Sequence, residues 1–154
     1  MNGTKGGMLV LLGAVVLAVA GFLGARYWQG MQDHFTRIAV PSGCDLRAGP
    51  CALQVGGGSV TLAITPSQIP LMQPLRLSVV IAGLTAREIG VEIRGLNMDM
   101  GLNRTLLTPV ADGRWEGETI LPLCSQRRME WEAAVLLRAD QRLEVPFRFH
   151  TERP

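Results

Sequence analysis

Twenty consecutive residues, Gly6 to Ala25, carry no charge and no strongly polar side chain. A helix rising about 1.5 Å per residue needs roughly that length to cross a hydrocarbon core of about 30 Å. Lys5 stands just before the run, and Arg26, Tyr27 and Trp28 follow it. Amphipathic rings beside a basic residue suit the headgroup level, so these three are the expected membrane-interface residues. The sequence therefore predicts one N-terminal transmembrane helix over residues 6–28, after a cytoplasmic stub of residues 1–5. A cleaved signal peptide is the competing reading, with Ala18-Val19-Ala20 or Leu23-Gly24-Ala25 as the small-residue site. The run is long for a signal peptide and its exit carries anchor residues, which favours the anchor. Ala14, Ala18, Gly21 and Gly24 would let another helix approach closely, although small residues are common in any spanning helix.

Behind the anchor, residues 29–40 read as a juxtamembrane segment with a first strand, and residues 41–154 as one small domain. Fourteen arginines face thirteen acidic residues, and Lys5 is the only lysine. No block of like charge occurs, so the basic cluster that a nucleic-acid or anionic-lipid surface needs is missing, and no nucleic-acid partner is expected.

From Phe35 onward the apolar pattern has period two. Val60, Leu62 and Ile64 alternate with Thr61, Ala63 and Thr65; Leu75, Leu77, Val79 and Ile81 alternate with Arg76, Ser78 and Val80. Val91 and Ile93, then Met129, Trp131, Ala133, Val135 and Leu137, then Leu143, Val145, Phe147 and Phe149 repeat the alternation. Each set turns one face to a core and the other to water. Gly56-Gly57-Gly58 and Asp112-Gly113 predict hairpins. Pro146 cannot donate to a ladder, which places its strand at an edge or on a bulge. Strands at short intervals with no helical period after the anchor predict an all-β domain, an Ig-like antiparallel β-sandwich preceded by one transmembrane helix. The cysteine and tryptophan spacing of antibody domains is absent, so that likeness is architectural.

Cys44 and Cys51 bracket a turn rich in Asp, Gly and Pro, and they make the simplest disulfide, worth roughly 2 to 3 kcal/mol by loop closure. Cys124 is then left over, although three pairings are formally open. Such a pair belongs in an oxidising compartment. The expectation is therefore a C-terminal domain on the oxidising side of the membrane, the periplasm where the membrane is a bacterial inner one, and a cytoplasmic N-terminus.

Enzyme signatures fail in turn. His34 and His150 are the only histidines, and neither sits in a nucleophile motif. Gly56-Gly57-Gly58 is not followed by a lysine that would complete a phosphate loop. No C-x-x-C occurs, and no zinc spacing. No enzymatic activity is expected. The unusual stretch is Gly95 to Asn103, with Met98 and Met100 two apart and Asp99 between them. In extended chain both thioethers share a side, and soft sulfur selects Cu(I). Cys124, His150 and His34 are the available further ligands, so the candidate metal set is Met98, Met100, His150 and Cys124. Methionine also fills irregular core gaps, which is the ordinary alternative.

An M-x-M-G segment (Met98, Met100, Gly101) is followed by G-x-W-x-G (Gly113, Trp115, Gly117), by Leu-Pro-Leu-Cys ending at Cys124, and by Trp131. With the single span and the β-rich domain, this layout resembles the FixH-like and YtkA-like group of bacterial membrane proteins over roughly residues 8 to 140. The resemblance implies a role in copper handling or in assembly of respiratory haem-copper oxidases. It implies Cu(I) as a transient cargo, and an oxidase or copper chaperone in the same membrane as partner. The chain has no His-rich or Met-rich tail. A metal-free interaction subunit of a membrane complex is the alternative function.

Overall fold

The computed structural model describes residues 3–32 and 34–153. Met1 and Asn2 of the expected stub, and Asp33 of the juxtamembrane segment, lie outside the described residues. The chain divides into two compact units, 1–34 and 35–154.

The first unit is one helix, α1 (Gly3–Gln32). It is long enough, at about 45 Å, to cross a bilayer. Its window Leu11–Trp28 has mean hydropathy 1.7 and is not buried at all against protein. No acidic residue occupies its first turn and no basic residue its last, so apolarity rather than capping distinguishes it. The helix continues past the expected anchor end at Trp28 by four residues, to Gln32.

The second unit is all β. Its strands are β1 (Thr36–Arg37), β2 (Cys51–Val55), β3 (Gly58–Thr65), β4 (Pro74–Ala82), β5 (Glu88–Gly95), β6 (Asn103–Leu106), β7 (Thr108–Ala111), β8 (Arg114–Ile120), β9 (Arg128–Arg138) and β10 (Arg142–Glu152). They form two five-stranded sheets, ordered β1-β10-β9-β5-β6 and β2-β3-β4-β8-β7. Pairing is antiparallel except for β1 on β10. The chain changes sheet after β1, β4, β6 and β8. One buried cluster draws on both sheets, with Leu62, Leu75, Leu77 and Leu121 meeting Ile93, Trp131, Val135 and Phe147. The expected hairpins occur at Gly56–Gly57 and at Asp112–Gly113.

Pro146 explains why β1 is so short. Ile38 N donates to Glu144 O, so alternate residues of β10 from Glu144 onward face β1. The next donor a parallel neighbour needs would come from position 146, and proline has none. The β1 ladder stops at Arg37↔Glu144, and β10 is an edge from there on.

Two strand ends define the geometry of the domain. Glu88, Arg138 and Arg142 sit at the end where β1 begins. Gly95, Met129, Glu152 and Ile120 sit at the opposite end, together with the connections 38–50, 66–73, 96–102 and 121–127. The Cys44–Cys51 disulfide closes one of these connections, with the two Cα atoms 5.9 Å apart. Inside the ring, Ala48 N donates to Asp45 O (2.9 Å), Arg47 N donates to Asp45 Oδ1 (3.0 Å), and Leu46 is sunk into the core.

The outward face of the first sheet carries an ion ladder. Glu132 on β9 is 1 % exposed. It accepts from Arg37 Nη2 at 2.6 Å and from Arg94 Nε at 2.9 Å. Arg37 and Arg94 both also pair with Glu144. Arg104 on β6 extends the ladder through Glu92. Burial pushes the Glu132 carboxyl up, but the two arginines' hydrogen bonds and charge outweigh it and hold the group below its ordinary value of 4.5. A carboxylate depressed in this way stabilises the fold fully above its unfolded value and loses that contribution as pH falls toward the folded one. We expect Glu132→Gln to cost about 1 to 3 kcal/mol near neutral pH, because two half-exposed arginines lose a buried partner. The cost should begin to shrink as pH falls below the carboxyl's ordinary value of 4.5, and should disappear only below the lowered folded value, where the wild-type carboxylate is protonated too. Urea denaturation of both proteins at neutral and acid pH checks this.

Candidate functional site

The methionine segment begins where β5 runs out of side chain. Gly95 lies opposite Trp131 in the β5–β9 register. A Cβ built there would collide with the Met98 backbone carbonyl, and would meet Met129 Cε at 3.0 Å and Met100 Cγ at 3.3 Å. Three methionines therefore converge on the space that glycine leaves. Beyond it, Leu96 N donates to Glu130 O (2.8 Å). The Asn97 side chain then substitutes for a strand residue: Nδ2 donates to Arg128 O (3.0 Å) and Oδ1 accepts from Glu130 N (3.1 Å). Asp99 Oδ1 accepts from Gly101 N (2.9 Å), an Asx turn that leads into left-handed Gly101 (φ 72°). At the far side, Asn103 Nδ2 donates to Ile120 O (3.1 Å) and Oδ1 accepts from Thr119 Oγ1 (3.0 Å), tying β6 to β8. Asparagines thus pin both ends of the loop.

Between these pins the exposure alternates. Asn97 and Asp99 are exposed, while Met98 and Met100 are half-buried and packed on the core. Both methionine side chains pack inward, although the segment is bent rather than the extended chain the spacing presupposes. Cys124 arrives from the β8–β9 connection, is buried, and is a free thiol. Its Sγ is in contact with Met98 Sδ, with the thiol as donor. Met129 backs the group from the core. The sequence places Met129 on the core face of its strand, and nothing in the spacing marks it as a neighbour of Met98 or Met100. Only the β5–β9 register brings it there.

His150 is engaged elsewhere. It alternates with core-facing Phe149 and Thr151 on β10, and its Nε2 accepts from Arg47 Nη1 at 2.8 Å. His34 is exposed and belongs to the helical unit. Among the described residues no group of three or more His, Cys, Asp and Glu is placed to hold a metal. The side chains that meet here carry sulfur: the Cys124 thiol against the Met98 thioether, with Met100 packed on the same core. Such a set suits a soft monovalent ion far better than a hard divalent one.

Arg26 lies over the Phe22 ring at 5.9 Å, and Tyr27 and Trp28 are exposed on α1. Their side chains are free to meet another phase.

Comparison with family profiles, characterised proteins and solved structures gives no match to this chain.

Two outcomes follow from the packing. Gly95→Ala should cost about 1 to 3 kcal/mol, because the methyl group meets backbone rather than a flexible chain end. It should also speed alkylation of Cys124 in the folded protein by pushing the Met98 turn outward. For the cysteines, alkylation of the oxidised protein in denaturant should modify one thiol, and peptide mapping should find it at Cys124. A free thiol at Cys44 or Cys51 would contradict the pairing.

Proposed function

We propose that this protein is a membrane-anchored accessory factor of the bacterial inner membrane. In this proposal α1 spans the bilayer with the N-terminus cytoplasmic and Arg26, Tyr27 and Trp28 at the interface. The two-sheet domain, taken as an immunoglobulin-like sandwich, stands in the periplasm. There it holds Cu(I) transiently between Cys124, Met98 and Met100, in support of assembly or copper loading of a respiratory oxidase. The observation that carries this reading is the direct contact of the Cys124 thiol with the Met98 thioether beside Met100. On binding, the Cys124 S–H would break, its proton would pass to water, and the thiolate and the thioethers would part to admit the ion. Half-burial of the methionines suits transfer, since an incoming ligand can reach the ion from solvent. The disulfide supports an oxidising compartment. His150, bonded to Arg47, is left out of the ligand set.

A metal-free interaction subunit is the second reading, and one observation favours it. Leu96, Leu102, Ile120 and Leu123 are all substantially exposed at the same end of the domain as the sulfurs. An apolar rim of that kind suits a protein partner in the same membrane. The two readings separate by titration of the full chain, in mild detergent, against a chromophoric Cu(I) chelator. The copper reading expects one equivalent bound with submicromolar affinity, loss of at least about tenfold in Met98→Leu/Met100→Leu, and a larger loss in Cys124→Ala. Cu(I) should also protect Cys124 from alkylation. Affinity unchanged in both variants, or no binding, overturns the copper reading and leaves the interaction subunit.

A further inference from the structure

We propose that a second site, separate from the sulfurs, binds a small organic carboxylate with an apolar body, in a cavity of about 470 Å³ beside Arg47. The polar lining is Arg47, Arg153, Gln68, Gln73, Thr151 and Glu152. The apolar lining includes Ile69, Leu71, Met72 and Leu123. This volume falls in the range of small-ligand sites, and the mix of apolar wall with a few polar groups is what such sites use.

Arg47 carries the argument. Its position is set by the disulfide ring, with Leu46 sunk into the core on one side and His150 accepting from Nη1 on the other. Its Nε is buried with no hydrogen-bond partner. Orphaned buried donors are rare and ask for an explanation. With Nη1 held by His150 and Nε buried, Nη2 is the guanidinium nitrogen left for an incoming carboxylate, which would make a charge-assisted hydrogen bond there. Among the described residues no carboxylate pairs with Arg47 or with Arg153. The one acid on the wall, Glu152, is paired with Arg128 at 3.1 Å. The cavity is therefore left with net positive charge.

The wall itself is a second, independent observation. Ile69 and Met72 have φ of 48° and 59°, in the left-handed region that side-chain-bearing residues rarely adopt, and Ile69 is β-branched. Both are held there by backbone hydrogen bonds, Ile69 N to Pro66 O (3.0 Å) and Met72 N to Leu121 O (2.9 Å). Strain over-determined in this way concentrates at ligand clamps. It turns Ile69 into the floor of the cavity and leaves Met72 exposed at its lip. Charge and shape together select an anion that carries hydrocarbon, rather than a bare inorganic ion.

The test uses the full chain in phosphatidylcholine nanodiscs with hexanoate as probe, and hexanol and inorganic phosphate as controls, read by calorimetry and by the rise in Tm. Hexanoate should bind saturably, and both controls should bind at least about tenfold more weakly. Arg47→Gln should weaken hexanoate by about tenfold or more. Leu123→Asp changes an exposed wall residue, keeps the His150 contact, and should do the same by placing a negative charge at the mouth. Absence of saturable hexanoate binding overturns the proposal. So does equal binding of hexanol or phosphate, or hexanoate affinity unchanged in Leu123→Asp. Copper binding is measured separately, so failure here does not bear on the sulfur site.

Discussion

A missing side chain at Gly95 is the constraint on which the functional end of the domain depends. β5 and β9 are the central strands of their sheet, and across from Gly95 stands Trp131, the largest residue of the buried core. Trp131 cannot move: its ring stacks on Phe149 with centroids 6.3 Å apart, and its Nε1 donates to buried Thr151 Oγ1 at 2.9 Å. The chain leaving β5 must therefore fold back over the position that has no Cβ. That return lowers Met98 and Met100 onto the core, where Cys124 and Met129 already are.

Charge is organised with equal economy on the outward face. Each strand of the first sheet supplies one or more members of the ladder from Arg37 through Glu144, Glu132 and Arg94 to Glu92 and Arg104. Surface pairs are individually worth little. Glu132 differs because it is nearly inaccessible to water, so its partners stabilise a charge that would otherwise be costly to bury. The two-residue strand β1 has almost no ladder of its own, and Arg37 is what fastens it. The ladder thus ties the start of the β domain to its central strand.

Much of this was legible in the sequence. Alternation at 60–64, 75–81, 91–93, 129–137 and 143–149 marks strands and their inward faces, because burial on one side of a pleat imposes period two. Gly56–Gly58 and Asp112–Gly113 mark hairpins, and Pro146 marks the open edge. The division of 103–111 into β6 and β7 on different sheets was not legible, since only buried Leu107 between two exposed strands signals the crossing. The ion ladder shows in sequence as outward Glu and Arg positions, but which acid meets which arginine depends on register between strands far apart in the chain. The same holds at the sulfur site. Met98 and Met100 announce themselves by spacing, whereas Met129 looks like any core residue, and His150 looks available until Arg47 is seen to use it.

Topology explains why both candidate sites share one end of the domain. The connections at the end where β1 begins are short, such as 56–57, 112–113 and 139–141, and they leave little room for anything but turns. The connections at the other end are 38–50, 66–73, 96–102 and 121–127, long enough to present side chains of their own. Long loops are entropically costly and poorly ordered unless something fixes them. Here each is fixed by a different device: the disulfide in the first, strained but hydrogen-bonded Ile69 and Met72 in the second, Asn97 and Asn103 in the third, and core-buried Leu121 and Cys124 in the fourth. Four anchored loops over one end of a two-sheet scaffold, the second joined to the fourth by Met72 N to Leu121 O and the fourth to the third by Cys124 against Met98, make a preorganised surface. On that surface the Cys124 and Met98 sulfurs and the Arg47 guanidinium come from different loops, so neither group depends on the other for its position.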